Sequence, residues 1–248
     1  MRIAVFGATS DIAAACLHLW AARGDSLQLF SRSGNKQALL AAELRERWHA
    51  QVSEDLFDAD DPDSIQAAAA ILKERLQGSD GGIDMLLIAF GYLGRNKESL
   101  HNPEEASRVT RVNYSATIDL LTVLTPVLEE QRGGQIAVIS SVAGERGRAG
   151  LVVYGAAKAG VTTYLDGLRG WLYRYGVGVT IIKPGIIRTA MTDHLPDSPL
   201  ISSPEKIAPA IVRAIDRRRH QVYVPRFWWL IMAIVRLLPE WVMKRISK

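Results

Sequence analysis

The chain has 248 residues, of which 48% are hydrophobic and 23% charged, with a net charge of +4. That composition excludes a disordered chain, a collagen-like repeat and a disulfide scaffold, and the length suits one α/β domain. Cys16 is the only cysteine, so no intrachain disulfide can form, which fits a reducing cytoplasm.

Met1-Arg2 leads straight into an apolar run, and no secretory signal is expected. In chain order, short apolar runs then alternate with longer amphipathic stretches. Strands are expected at Ile3–Phe6, Leu27–Phe30, Val52–Leu56, Met85–Ala89, Gln135–Ser140, Val177–Lys183 and Val222–Val224. Helices are expected at Ile12–Arg23, Lys36–Trp48, Asp63–Gln77, Pro103–Gln131, Gly155–Tyr175 and Pro204–Arg218. Such alternation implies right-handed βαβ crossovers and a parallel sheet. Four strands are almost wholly apolar, as strands covered on both faces must be. The expected fold is a doubly wound α/β Rossmann fold with a seven-stranded parallel sheet, helices on both faces, and an added C-terminal apolar helix. Residues 1–225 are expected to form this domain, and 226–248 a basic and apolar helical tail. Two long loops, Gly91–Asn102 and Gly185–Ser203, come after strands and so border the crevice where such sheets bind ligands. The second has the length of a lid.

Gly7-Ala8-Thr9-Ser10-Asp11-Ile12-Ala13 joins the first strand to the first helix. Backbone N–H groups and the helix dipole at such a turn bind a pyrophosphate. Asp11 and Ala13 stand where glycines are common. Ala13 still allows close helix–strand packing, and Asp11 sits awkwardly beside a phosphate unless its carboxylate turns back to cap the helix. An ordinary strand–turn–helix is the alternative. The second strand ends in Ser31-Arg32, with no acidic residue for a ribose 2′-hydroxyl. Arg32 with Ser31 can instead hold a 2′-phosphate, which points to NADP(H); a solvated surface arginine is the other possibility.

Ser141 lies just past the fifth strand, Tyr154 thirteen residues on, and Lys158 four beyond that. On a helix Tyr154 and Lys158 share a face. A lysine ammonium favours the phenolate and lowers the tyrosine pKa. Ser141 can hydrogen-bond the same substrate oxygen. The trio can protonate a carbonyl while a nicotinamide delivers hydride. No metal site is expected.

In this arrangement residues 1–224 resemble the short-chain dehydrogenase/reductase family. The resemblance implies Tyr154 as general acid/base, Lys158 as its tuner and ribose contact, and Ser141 as substrate orienter. It implies that Asn113 holds a helix kink and a proton-relay water. It places Gly7, Thr9, Ser10, Asp11 and Ile12 at the pyrophosphate, Asp58 near the adenine, and Ala89-Phe90-Gly91 beside the cofactor. Pro184, Gly185, Ile187 and Thr189 fall on the nicotinamide side, and Arg32 marks NADP. Ala89-Phe90-Gly91 departs from the family's Asn-Asn-Ala-Gly. The first turn, the segment Ala89–Gly94, the run Ser141–Arg146, the block Val153–Gly160 and Arg188–Thr192 are similar to a subgroup, the decaprenylphosphoryl-2-ketopentose reductases. That likeness implies reduction of a 2-keto sugar on a polyprenyl phosphate after a flavin-dependent partner oxidises the 2-hydroxyl, a net epimerisation. The other readings are a short-chain reductase of a small soluble ketone or alcohol, and a non-catalytic dinucleotide-binding regulator.

From Arg213 to Lys248, nine basic residues face only Asp216 and Glu240, a net +7 that leaves −3 for the rest. Phe227–Val235 is wholly apolar and too short to span a bilayer, and Arg236 and Pro239 interrupt the apolar residues beyond it. Tryptophans among basic residues suit a membrane headgroup layer, so the enzyme is expected in the cytoplasm, peripheral on the inner membrane face. Packing on its own domain, on a second subunit in a homo-oligomer, or on another protein are the alternatives. Nucleic acid is not expected as a partner.

Overall fold

The computed structural model describes residues 1–77 and 82–246. Seven strands make up the main sheet: β1 (Arg2–Phe6), β2 (Ser26–Ser31), β3 (Val52–Leu56), β4 (Met85–Ile88), β5 (Gln135–Ile139), β6 (Gly178–Pro184) and β9 (Gln221–Val224). All are parallel, in the order β3-β2-β1-β4-β5-β6-β9. Beyond β6, the two-residue strands β7 (Ile186–Ile187) and β8 (Ile201–Ser202) pair in parallel.

The central strands are apolar on alternate sides, and each side has its own core. Ile3, Val5, Leu87, Ala137 and Ile182 pack under α1 (Asp11–Ala22), α2 (Gly34–Trp48) and α8 (Pro204–Asp216). Ala4, Phe6, Leu86, Val138 and Ile181 pack under α3 (Pro62–Gln77), α6 (Ala116–Gln131) and α7 (Val152–Leu172). Two helical layers on a parallel sheet confirm the doubly wound expectation. The strand order reverses between β1 and β4, which places the ligand crevice beyond their carboxyl ends.

The expected helix Pro103–Gln131 is instead three pieces: α5 (Pro103–Thr110), a π-helical turn (Arg111–Ser115) and α6. Asn113 is the cause. Its Nδ2 donates to the Val109 carbonyl at 2.8 Å and takes the place of a backbone bond in the ladder. The Gly91–Asn102 loop carries a short helix, α4 (Asn96–Ser99), and Asn102 caps α5 by accepting the Glu104 N–H at 2.9 Å. The helix expected at Gly155–Tyr175 begins earlier, at Val152, and ends in a 3₁₀ turn.

The tail forms α9 (Phe227–Leu237) and α10 (Glu240–Ile246); Lys248 lies outside the described residues. Trp228 and Met232, one turn apart, are buried against Val142 and Tyr223. Arg146 pairs with Glu240 at 3.0 Å. The tail helix is thus seated on the domain. Phe227, Trp229, Leu230, Ile234 and Leu237 on its outer side, and Trp241 beyond it, stay exposed.

Candidate active site

Ser140 and Ser141 leave β5 in opposite senses. Ser140 Oγ turns inward, 2.7 Å from Thr162 Oγ1 and 3.2 Å from the Lys158 carbonyl. Ser141 caps a 3₁₀ turn (Val142–Gly144), accepting the Ala143 N–H at 3.1 Å, and its hydroxyl lies near enough to the Tyr154 phenol to favour the phenolate. Gly144 makes that proximity possible. A Cβ there would stand 2.7 Å from Ala159 N and from Lys158 C, so only glycine lets the turn rest on the α7 backbone.

Tyr154 and Lys158 lie one turn apart on α7, with Lys158 Nζ 5.7 Å from the phenol ring centre. Burial pushes the Tyr154 phenol up to about 12, and the Ser141 hydroxyl pulls it down by less. Burial lowers Lys158 to about 8. The expectation that the lysine depresses the tyrosine is therefore not met by these two residues alone: desolvation dominates both. Lys158 Nζ donates to the Ile139 carbonyl at 3.1 Å, which leaves donors for a ligand. Asn113 is fully engaged. Its Nδ2 donates to the Tyr92 and Val109 carbonyls, and its Oδ1 accepts the Tyr92 N–H at 3.2 Å. It ties the kink before α6 to the loop after β4.

The space beside this group is shaped for a dinucleotide. Gly91 has no Cβ where one would stand 3.1 Å from Asn113 Oδ1, 3.7 Å from Lys158 Nζ and 3.9 Å from Met191 of the long loop. At the other end, Gly7 turns with φ +81°, its Cα pressed against the backbone of Ala89 and Phe90. Ser10 precedes α1 without a side-chain cap, so the first-turn N–H groups of Asp11, Ile12 and Ala13 are open to a pyrophosphate. Thr9 lies in the same turn. The donors and the room fit a nicotinamide dinucleotide.

Asp11 departs from expectation. Its carboxylate does not cap α1 but crosses the crevice to accept the Ala190 N–H at 2.9 Å. Asp58, after β3, accepts the Asp60 N–H with Oδ1 at 3.0 Å. Phe90 packs on Phe57 with ring centres 5.2 Å apart. Ser31 is buried, its Oγ 3.5 Å from the Ser33 carbonyl, and Arg32 stands exposed with no ion pair among the described residues.

Pro184 ends β6, and Gly185 lies directly against the Trp228 indole, so a Cβ there would overlap the ring. Ile187 lies in β7 and pairs with Ser202. Thr189 N–H donates to Thr192 Oγ1 at 3.1 Å, and Thr192 Oγ1 donates to the Ile187 carbonyl. Arg188 donates to the Leu195 carbonyl at 2.7 Å and pairs with Asp197. The lid is therefore an ordered, self-bonded loop.

Residues not singled out from the sequence complete the surroundings. Glu145, buried at the end of the Ser141 turn, takes Lys183 Nζ at 2.7 Å and the Tyr223 hydroxyl, with Arg236 of α9 3.7 Å away. A buried charge pair one residue before Pro184 fixes the Ser141 turn to β6, and removing either partner would strand the other. Its only sequence signal was a charged residue inside an apolar run. Among the described residues no cluster of metal-ligating side chains occurs.

Comparison with known proteins agrees. The family described as short chain dehydrogenase matches residues 2–199. An uncharacterized oxidoreductase of Mycobacterium tuberculosis is 32% identical over 246 residues, covering 99% of this chain and 97% of its own. An uncharacterized oxidoreductase of Streptomyces coelicolor is 33% identical over 243 residues, covering 98% and 94%. Among solved structures, a short-chain dehydrogenase from Sphingobium yanoikuyae in complex with NADPH superposes with TM-score 0.79 at 24% identity, over 95% of this chain and 93% of that one. The bulky-bulky ketone specific alcohol dehydrogenase from Comamonas testosteroni gives TM-score 0.80 at 23%, over 96% and 95%. These structural likenesses carry the fold. With the family match and the Ser141, Tyr154 and Lys158 geometry, they identify the chain as an NAD(P)-dependent oxidoreductase belonging to the short-chain dehydrogenase family.

Proposed function

We propose that this enzyme reduces, with NADPH, the keto group of a sugar carried on a polyprenyl phosphate at a membrane surface. The nicotinamide supplies the hydride. Tyr154 supplies the proton to the carbonyl oxygen, and Ser141 orients that oxygen. Lys158 binds the cofactor ribose, and its ammonium offsets the cost of phenolate left behind. Asn113 positions the relay side of α6. Gly7, Thr9, Ser10, Ile12, Ala89, Phe90, Gly91, Pro184, Gly185, Ile187 and Thr189 form the cofactor channel, and Asp58 meets the adenine. Arg32, with Ser31 behind it, receives the 2′-phosphate and makes NADPH the preferred form.

The observation that carries the substrate reading is the placement of α9. Its inner face touches Gly185 and Val142, both next to site residues. Its outer face exposes Phe227, Trp229, Leu230, Ile234 and Leu237, with Leu237 85% exposed. Arg226, Lys244 and Arg245 flank that face. An apolar, aromatic strip with basic flanks suits the headgroup layer, each basic residue adding on the order of 1 kcal/mol with anionic lipid. Among the described residues no helix is long and apolar enough to cross a membrane, so the strip would lie on the surface. A chain-linked sugar could then reach Tyr154 while its lipid stays in the bilayer. The keto-sugar would come from an oxidase acting on the 2-hydroxyl, with a flavin as electron acceptor, and the pair of reactions would invert that centre.

The test is reduction of a polyprenyl-phosphate-linked 2-keto pentose with deuterated NADPH, read by mass spectrometry, beside the same keto sugar without lipid. Deuterium in the lipid-linked product, with little turnover of the free sugar, is expected. Equal turnover of the free sugar would overturn the lipid-linked reading and favour a soluble ketone.

A further inference from the structure

We infer that Asp11 is the latch of the Gly185–Ser203 lid, a positioning residue that sets how fast the dinucleotide is exchanged. The inference rests on the family's dinucleotide site and not on the substrate reading. Asp11 is the first residue of α1, on the rim of the turn whose open N–H groups suit a pyrophosphate. A carboxylate there is the wrong charge for a phosphate contact, and its side chain is not used to cap its own helix. It reaches across 179 residues of sequence to accept the Ala190 N–H at 2.9 Å. Ala190 immediately succeeds Thr189, whose own N–H is taken by Thr192 Oγ1.

Among the described residues, apart from its two ends and the Asp11 contact, the lid's hydrogen bonds run within the lid itself. Arg188 bonds Leu195 and Asp197, and Thr192 bonds Ile187. Such internal bonds fix the lid's shape but not its position over the crevice. The Asp11–Ala190 bond does fix that position, because it joins the first turn on one wall to the lid on the other. Closing that gap covers the line along which a dinucleotide lies between β1 and β4. Opening the lid must break the bond, so the bond slows both uptake and release.

The experiment measures NADPH release from the full-length protein by stopped-flow fluorescence, with excess unlabelled nucleotide as the chase. Asp11→Ala should release NADPH about three- to tenfold faster, the worth of one ordinary, solvent-exposed hydrogen bond. Asp11→Asn keeps an acceptor oxygen and should release at close to the wild-type rate. Amide exchange at Ala190, measured without nucleotide, should quicken in Asp11→Ala and not in Asp11→Asn. Unchanged or slower release in Asp11→Ala would overturn the latch, as would unchanged Ala190 exchange. If the wild type bound no NADPH, the dinucleotide assignment would fail, while the exchange measurement would still decide the latch.

Discussion

Gly144→Ala is the most informative single perturbation of the site. The added Cβ would lie 2.7 Å from Ala159 N, 2.7 Å from Lys158 C and 2.9 Å from Lys158 O. All three are backbone atoms of α7, so no rotamer change relieves the overlap. Carbon contacts favour about 3.5–4.0 Å, so the Ser141 turn must retreat from the helix by about 1 Å. Overpacking of this kind costs about 1–3 kcal/mol. For a chain of this size that corresponds to a melting temperature lower by about 2–12 °C. The functional cost should be larger, because the retreat separates Ser141 from Tyr154, and a misplacement of about 1 Å can cost on the order of 100-fold in rate. Gly150→Ala is the control, since a Cβ there meets nothing within 4 Å. The assay is thermal melting together with steady-state NADPH oxidation against a small diketone. A Gly144→Ala protein that melts and turns over like wild type would refute the packing of the Ser141 turn on α7.

The other predictions concern charge. Arg32→Ala should reduce a preference for NADPH over NADH of about tenfold or more, since a charge-assisted contact is worth about 1.5–3 kcal/mol; equal affinities in the wild type would remove that role. Lys158 gives a pH signature. The unfolded chain keeps this proton to its ordinary 10.5, the folded protein only to about 8, so between them the unfolded state binds more protons and stability rises with pH. The stability of wild type minus that of Lys158→Met should therefore climb from about pH 8 to pH 10, and a flat difference would show that Lys158 is not desolvated. Binding to anionic vesicles should fall with added salt and with Trp229→Ser/Leu230→Ser, which alter the exposed side of α9; salt-independent binding would contradict the basic contribution.

The sheet was legible because its strands are apolar on both faces and its helices are periodic. The trio was legible because Ser141, Tyr154 and Lys158 keep a spacing that a strand leading into a helix converts into proximity. The features that stayed hidden depend on contacts between distant segments. The kink at Asn113 was legible only through the family resemblance, since the helical pattern itself is unbroken there; what the structure adds is the bonds to Val109 and Tyr92 that hold it. Asp11 looks misplaced until Ala190 arrives from the other side of the crevice. The tail's apolar run is expected from its sequence at a membrane, with packing as the alternative, and the structure divides it by face: Trp228 and Met232 inward, Trp229 and Leu230 outward. Glu145 pairs with Lys183 and Tyr223 across the end of the sheet, a partnership that no local pattern announces.

The central claim, that Tyr154 delivers the proton for carbonyl reduction, is tested most directly by Tyr154→Phe. NADPH affinity and single-turnover hydride transfer should be measured on the same preparation. Affinity should stay close to wild type, because the phenol hydroxyl acts in the transition state and touches the cofactor little. Hydride transfer to a ketone should fall by about 10²- to 10⁴-fold, the usual worth of a positioned proton donor. Hydride transfer at near the wild-type rate, with cofactor bound normally, would contradict the assignment of Tyr154 as the acid.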